Sequence, residues 1–262
     1  MTNKHGRFRT LNPPKSVSEF LAAVEKIHKK WLEDFGYDYG IWFRGQGSAS
    51  FSLTPGLYRP EYVKTDENTF RHHFKLKAFP YLSDATYSPL SDWDWYFLMQ
   101  HHGLPTRLLD WTESALTALY FAISARSNSS AGVWVLNPWK LNYEVAKIGE
   151  LIPISTNPLV GGYLAQPWDK TPLPGPPVAI QPPHNSRRIA AQKGMFTMHG
   201  SNQSGLESFP AIRDHLALIV IPGKARGSMR NELARAGVTE SSLFPELAGL
   251  CKEIRDAWKN VE

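Results

Sequence analysis

Apolar positions along the chain follow two periods, and the switches between them outline the fold. Phe20, Val24, Ile27, Trp31 and Phe35 recur at helical spacing behind a Ser16 and Glu19 capping pattern, predicting a helix stopped by Gly36. Tyr39 to Gln46, reading YGIWFRGQ, is an aromatic run broken at Gly45. It predicts a strand with Arg44 at its end, beside a glycine that lets a ligand approach the backbone. Helical spacing returns over Thr65–Phe79, and again behind Ser91 and Asp94, through Trp95, Leu98 and His102, until Gly103 and Pro105 end it. Residues 106–136 read as a loop, a helix capped by Thr112 that carries Leu116, Leu119, Tyr120 and Ile123, and a buried strand at Val133–Leu136.

Residues 153–184 hold nine of the chain's 20 prolines and read as a long loop, either a lid or a plain surface excursion. Arg187–Met198 reads as a turn and strand. His215–Pro222, with six consecutive apolar residues, is the strongest strand pattern. Helices over Lys224–Ala236 and Ser242–Trp258 follow. The mixture of helical and strand periods predicts an α+β fold, a modest mixed β-sheet with packed helices.

Composition narrows the class. With 262 residues, 42% of them hydrophobic, the chain supports one domain at 16–262 behind a flexible basic arm at 1–15. No run of 18 apolar residues occurs and the start lacks the apolar block of a signal peptide, so the expectation is a cytoplasmic protein with no membrane partner. The one cysteine, Cys251, excludes an internal disulfide and a multi-cysteine zinc site; its helical pattern places it as a small core residue. The formal charge of +5 lies within residues 1–30, which carry seven basic and two acidic side chains, while the body is balanced. Such an arm could hold nucleic acid backbone non-specifically, or simply be solvated.

The chain lacks GxxxxGK[ST], GxGxxG, GxSxG, HExxH and a calcium loop. Two polar clusters remain. In Trp42-Phe-Arg-Gly-Gln46, Arg44 offers a planar cationic fork suited to phosphate or carboxylate; the alternative is burial against a carboxylate such as Asp110. The second cluster runs from Gln100 to Ser114, with His101, His102, Thr106, Arg107, Asp110, Thr112 and Glu113 around a helix end and the next helix start. Adjacent histidines on a helix point about 100° apart, so neither His101 with His102 nor His72 with His73 makes a metal site, and none is assigned.

The blocks IWFRGQ, SLTPGLYR, WDWYFLMQHHGLPTRLLDWTESALTALYFA, GVWVL, RRIAAQKGMF and LFPEL, in order over about residues 20–250, resemble the FRG domain, a bacterial and phage-associated family named for its (F/Y)RG motif. A weaker resemblance is to arginine-type ADP-ribosyltransferases: Phe43-Arg44-Gly45, then Thr112 and Ser114, Ala118-Leu-Tyr-Phe121-Ala122, and the strand from Val133. That resemblance implies an ADP-ribosyltransferase-like fold and an intracellular enzyme of a prophage, defence or toxin kind, cleaving or transferring a glycosyl group from a nucleotide-like ligand, with NAD as substrate and no cofactor firmly implied. Together with the two polar clusters it puts forward Arg44, Gln46, Gln100, Thr106, Arg107, Thr112 and Ser114 for ligand binding and His102, Asp110, Glu113 and Gln192 for catalysis. Where the transferases carry their glutamate this chain has Gly194, which leaves Asp110, Glu113 or Glu207 to supply the carboxylate. Trp42 or Trp111 could stack on a base. A nucleic-acid-binding module or nuclease using the arm, and a non-catalytic interaction module, are the alternatives.

Overall fold

A computed structural model describes residues 8–9, 12–35, 40–62, 65–82, 90–125, 127–149, 152–153, 158–164, 172–183 and 186–259. Its centre is one sheet of eight strands in the order β1-β8-β4-β2-β3-β7-β6-β5. The strands are β1 (Phe8–Arg9), β2 (Trp42–Gln46), β3 (Leu108–Thr112), β4 (Ala131–Leu136), β5 (Ile152–Pro153), β6 (Val178–Gln181), β7 (Gly194–Met198) and β8 (Leu216–Ile221). Neighbours from β8 to β6 run antiparallel, while β1 and β5 add parallel edges. The helices are α1 (Val17–Phe35), α2 (Glu67–Ala78), α3 (Asp92–His101), α4 (Ala115–Ile123), α5 (Pro138–Lys140, running on as a π turn over Leu141–Ala146), α6 (Pro158–Gly161), α7 (Arg187–Gln192), α8 (Arg226–Arg235), α9 (Glu240–Leu243) and α10 (Leu247–Trp258). The fold is α+β with a mixed sheet.

Strand alternation divides the core. Phe43, Val133, Val135, Ala217 and Ile219 face α1, α4 and α8, whereas Trp42, Trp134, Leu136 and Leu218 face Leu53, Leu141, Leu206 and Ile212. A third cluster packs Tyr96, Phe97 and Met99 of α3 on Leu108, Phe196 and Met198. Each large apolar side chain so buried contributes about 1.5–3 kcal/mol.

Local signals and the structure agree where caps decide. Ser91 and Asp94 form both bonds of a capping box on α3. Ser16 Oγ accepts from Glu19 N at 3.2 Å, although the Glu19 carboxylate turns to Lys15 N instead of closing the box. Gly237, at φ 78°, follows α8. The stop at Gly36 and residues 1–7 of the arm lie outside the described residues.

Several expectations are corrected. Arg44 occupies the middle of β2, not its end. Residues 108–112 form a strand where a loop was expected, so Thr112 ends β3 and Ser114 caps α4 by accepting from Thr117 N. Arg187–Gln192 is helical, capped by Ser186, with the turn confined to Lys193 at φ 47°. The proline-rich stretch contains a buried sheet strand, β6, whose Ala179 N–H and C=O are taken by the side-chain amide of Asn142 at 2.7 and 3.0 Å. That amide bonds Ala179 just before β6 pairs with β5 at Ile180 and Gln181, and the prolines lie outside the strand itself. Within the arm, Phe8–Arg9 pairs with β8.

The C-terminal helix also departs from expectation. Gly249 lies against Phe244, so α10 meets the body through this backbone position while Leu247, Leu250, Ile254 and Trp258 stay exposed, as does Cys251. Cys251 is therefore a surface thiol.

Gly45 likewise has a different role. A Cβ built on it would stand 1.9 Å from Ala118 O and 2.6 Å from Ala122 N, so α4, not a ligand, makes the close approach.

Candidate functional site

The candidate site forms where β2 and β3 part. The two strands pair at Phe43↔Thr112. Continuing that antiparallel register would bring Gly45 opposite Asp110. Instead the Arg44 side chain enters the gap and Nη1 donates to Asp110 O at 2.6 Å, with Asp110 Oδ2 at 3.5 Å. The other carboxylate oxygen, Oδ1, accepts from Gln100 Nε2 at 3.0 Å. Thr106 sets the orientation of that amide, since its hydroxyl donates to Gln100 Oε1 while accepting from Leu108 N at 3.1 Å. The relay leaves Asp110 with N–H donors at both carboxylate oxygens.

These groups open onto a cavity of about 620 Å³ walled by β2, β3, the segment from Gly56 to Tyr62, the turn after α3, and α7. Arg44 lines it together with Arg59 and Arg188; Glu61 and Asp110 are the acidic members; Tyr62, Trp111 and Phe121 supply aromatic surface. Burial lowers the Arg44 pKa, opposed by Asp110 and reinforced by the Arg59 charge. Its Nε is buried without a hydrogen-bond partner. A desolvated cation with another cation beside it gains from any anion that enters the cavity. Arg188 is placed by a bond from Nη1 to His101 O at 3.3 Å and by the Phe244 ring, 4.8 Å from its guanidinium carbon.

The residues singled out in the sequence divide between cavity and scaffold. Arg44, Gln100, Thr106, Asp110, Thr112 and Gln192 line the cavity. Thr112 Oγ1 donates to Gln192 O at 2.6 Å and Gln192 Nε2 to Leu243 O at 3.0 Å, tying β3 to α7 and α9. Gln46 is buried outside the cavity lining, accepting from Trp134 Nε1 at 2.8 Å and donating to Ser52 O at 3.1 Å. Ser114 is spent on its cap. His102 ends α3 outside the cavity lining, as does Glu113, whose N–H bonds Lys193 O at 3.2 Å. Glu207 lies elsewhere, accepting from Leu53 N at 2.9 Å. Trp42 is core, and Trp111 donates its indole N–H to Thr197 Oγ1 at 3.0 Å while walling the cavity. Gly194 pairs with Thr112 in the sheet. Arg59, Glu61, Tyr62 and Arg188 carry no motif of their own and join through tertiary structure, although Arg59 sits in the SLTPGLYR block.

Arg107 is a scaffold residue. Only 1% exposed, it donates from Nε to both Glu67 oxygens at 3.0 and 2.8 Å, from Nη1 to His199 O at 2.8 Å and from Nη2 to Tyr163 O. Beside it, burial and then the Arg107 charge depress the His199 pKa to about 3. The unfolded chain takes up that proton near pH 6.5, so the folded state must lose ground as the pH falls from about 6.5 toward 3. Urea unfolding at pH 6 and pH 4 should show about 2–3 kcal/mol less stability at the lower pH, with the difference reduced in His199→Gln. An unchanged pH dependence in that variant would remove His199 as its cause.

Among the described residues no group of three His, Cys, Asp or Glu could hold a metal ion, and no helix is long and apolar enough to cross a membrane.

Sheet and site together define an α+β protein with an arginine-lined cavity between diverging strands. Residues 40–131 match the family model of the FRG domain, so the chain carries an FRG domain over those residues. The matched residues hold β2, β3, α4 and the segment 56–62, which is most of the cavity wall; Arg188 and Gln192 fall beyond them. No curated protein and no solved structure matches the chain.

Proposed function

We propose that the cavity binds an anionic, nucleotide-like ligand and that the protein cleaves or transfers its glycosyl bond, with NAD as the model substrate. The observation that carries this reading is the convergence of Arg44, Asp110, Gln100, Thr106, Thr112 and Gln192 on one open cavity bearing two further arginines. The guanidinium groups suit a diphosphate, because planar forks meet phosphate oxygens in pairs. Tyr62 and Phe121 offer apolar surface to a base. Asp110, bonded at both oxygens by Arg44 and Gln100, would face the positive charge that develops on the ribose ring as the glycosidic bond breaks. Gln100 and Thr106 act on that step by fixing the carboxylate.

The test is release of nicotinamide from NAD by the full chain, followed chromatographically. Asp110→Asn is expected to reduce the rate about 10²–10³-fold while leaving NAD affinity within about threefold. Equal rates in the two proteins would remove Asp110 from the chemistry.

A further inference from the structure

The cavity has a back door, and Gly194 helps to make it. Behind Asp110 lies a chamber of about 50 Å³, walled by Gln100, His101, Asp110, Arg188, Gln192 and Gly194 among others. It shares Gln100, Asp110, Trp111, Arg188 and Gln192 with the ligand cavity. His101 and Arg188 also line an outer groove of about 630 Å³, bordered by Ser241, Glu246 and Leu247. The chamber has room for a water molecule and polar groups to hold it, but not for a side chain or sugar of a second reactant. A Cβ on Gly194 would meet Ile189, another wall of the chamber, at an ordinary 3.5 Å, so a side chain there can be accommodated on the chamber wall.

We propose that this chamber holds the attacking water and that His101 receives its proton, making the protein a hydrolase of N-ribosides. This inference rests on the ligand reading above. The water oxygen bonds to the anomeric carbon as the carbon–nitrogen bond breaks; the electron pair leaves with the base, and the proton passes to a His101 ring nitrogen and out through the outer groove. No oxidant, reductant or metal is needed for the balance. Neither ring nitrogen of His101 is engaged in a hydrogen bond among the described residues. Burial, then the charges of Arg188 and His102, lower its pKa, opposed by Glu246. The imidazole is thus neutral and able to accept a proton at neutral pH. Its neighbour His102, the histidine singled out from sequence, has no place at the chamber.

His101→Phe should lower nicotinamide release from NAD by about 100-fold or more, while calorimetric NAD affinity stays within about threefold. The wild-type rate should hold level through the ordinary imidazole range and fall only at lower pH, as the imidazole takes a proton, and His101→Phe should flatten that limb. Gly194→Val, which fills the chamber from a sheet position that admits a Cβ, should show the same loss of rate with affinity kept. Hydrolysis by either variant within about threefold of wild type would overturn the water site. So would NAD binding by wild type without hydrolysis, which leaves the ligand cavity standing. Absence of NAD binding by wild type would instead overturn the cavity reading, and the water site with it.

Discussion

Gly45→Val is expected to abolish cooperative folding, a loss of at least about 3 kcal/mol. The side chain would start 1.9 Å from Ala118 O and 2.6 Å from Ala122 N. Both are backbone atoms of α4, so no rotamer change relieves the clash and the helix must lift off β2. That movement would uncover Phe43 and Ala118, Leu119 and Ala122 in the core facing α1 and α8. Gly45→Ala should be nearly as severe, because the offending atom is Cβ itself. Circular dichroism and a thermal melt check this: a cooperative Tm within a few degrees of wild type would show that α4 is not seated as described.

Arg107→Ala is expected to destabilise by about 3–5 kcal/mol. The substitution strands the Glu67 carboxylate, two-point bonded by Nε, and leaves the His199 and Tyr163 carbonyls without their guanidinium donor. Tyr96 adds to the network by donating to Glu67 and accepting from Arg107 N. Arg107 thereby fastens α2 and α3 to β3 and to the segment after β7. Lysine should rescue only part of the loss, since a point charge cannot reproduce the fork. The check is a urea melt of the two variants; a midpoint equal to wild type in Arg107→Ala would show that the network contributes little.

Both residues show what was legible in the sequence and what was not. Phe43-Arg44-Gly45 stands out as a motif, and the cluster from Gln100 to Thr112 is dense enough to mark a site without coordinates. Role is another matter. Arg44 and Arg107 look alike in sequence, yet one lines a cavity and the other is sealed behind Glu67, because burial is decided by which strands and helices pack around each. Gly45 permits a close approach in either reading, and only the position of α4 says whose.

The fold divides in the same way. Helices α1 and α3 were legible because a cap and an apolar stripe are local. Strand β3 was not, since LLDWT alternates only weakly and is paired with β7, more than 80 residues away. β6 hides among prolines, and its Ala179 backbone is bonded by the side chain of Asn142, 37 residues earlier in the chain. Cys251, expected in the core from its helical pattern, is exposed, because α10 lies against Phe244 through Gly249. In the site, Arg59 and Arg188 lie inside the SLTPGLYR and RRIAAQKGMF blocks, but nothing local marks them as cations of one cavity, because tertiary structure alone brings them to Arg44.

The measurement that bears most directly on the cavity is a calorimetric titration of the full chain with NAD and with ADP, repeated for Arg44→Ala. Saturable binding at one site by wild type, weakened tenfold or more in Arg44→Ala with the fold intact, is the expected result. No saturable heat with either nucleotide in wild type, or equal affinity in the two proteins, would contradict the assignment of Arg44 and its cavity to an anionic nucleotide-like ligand.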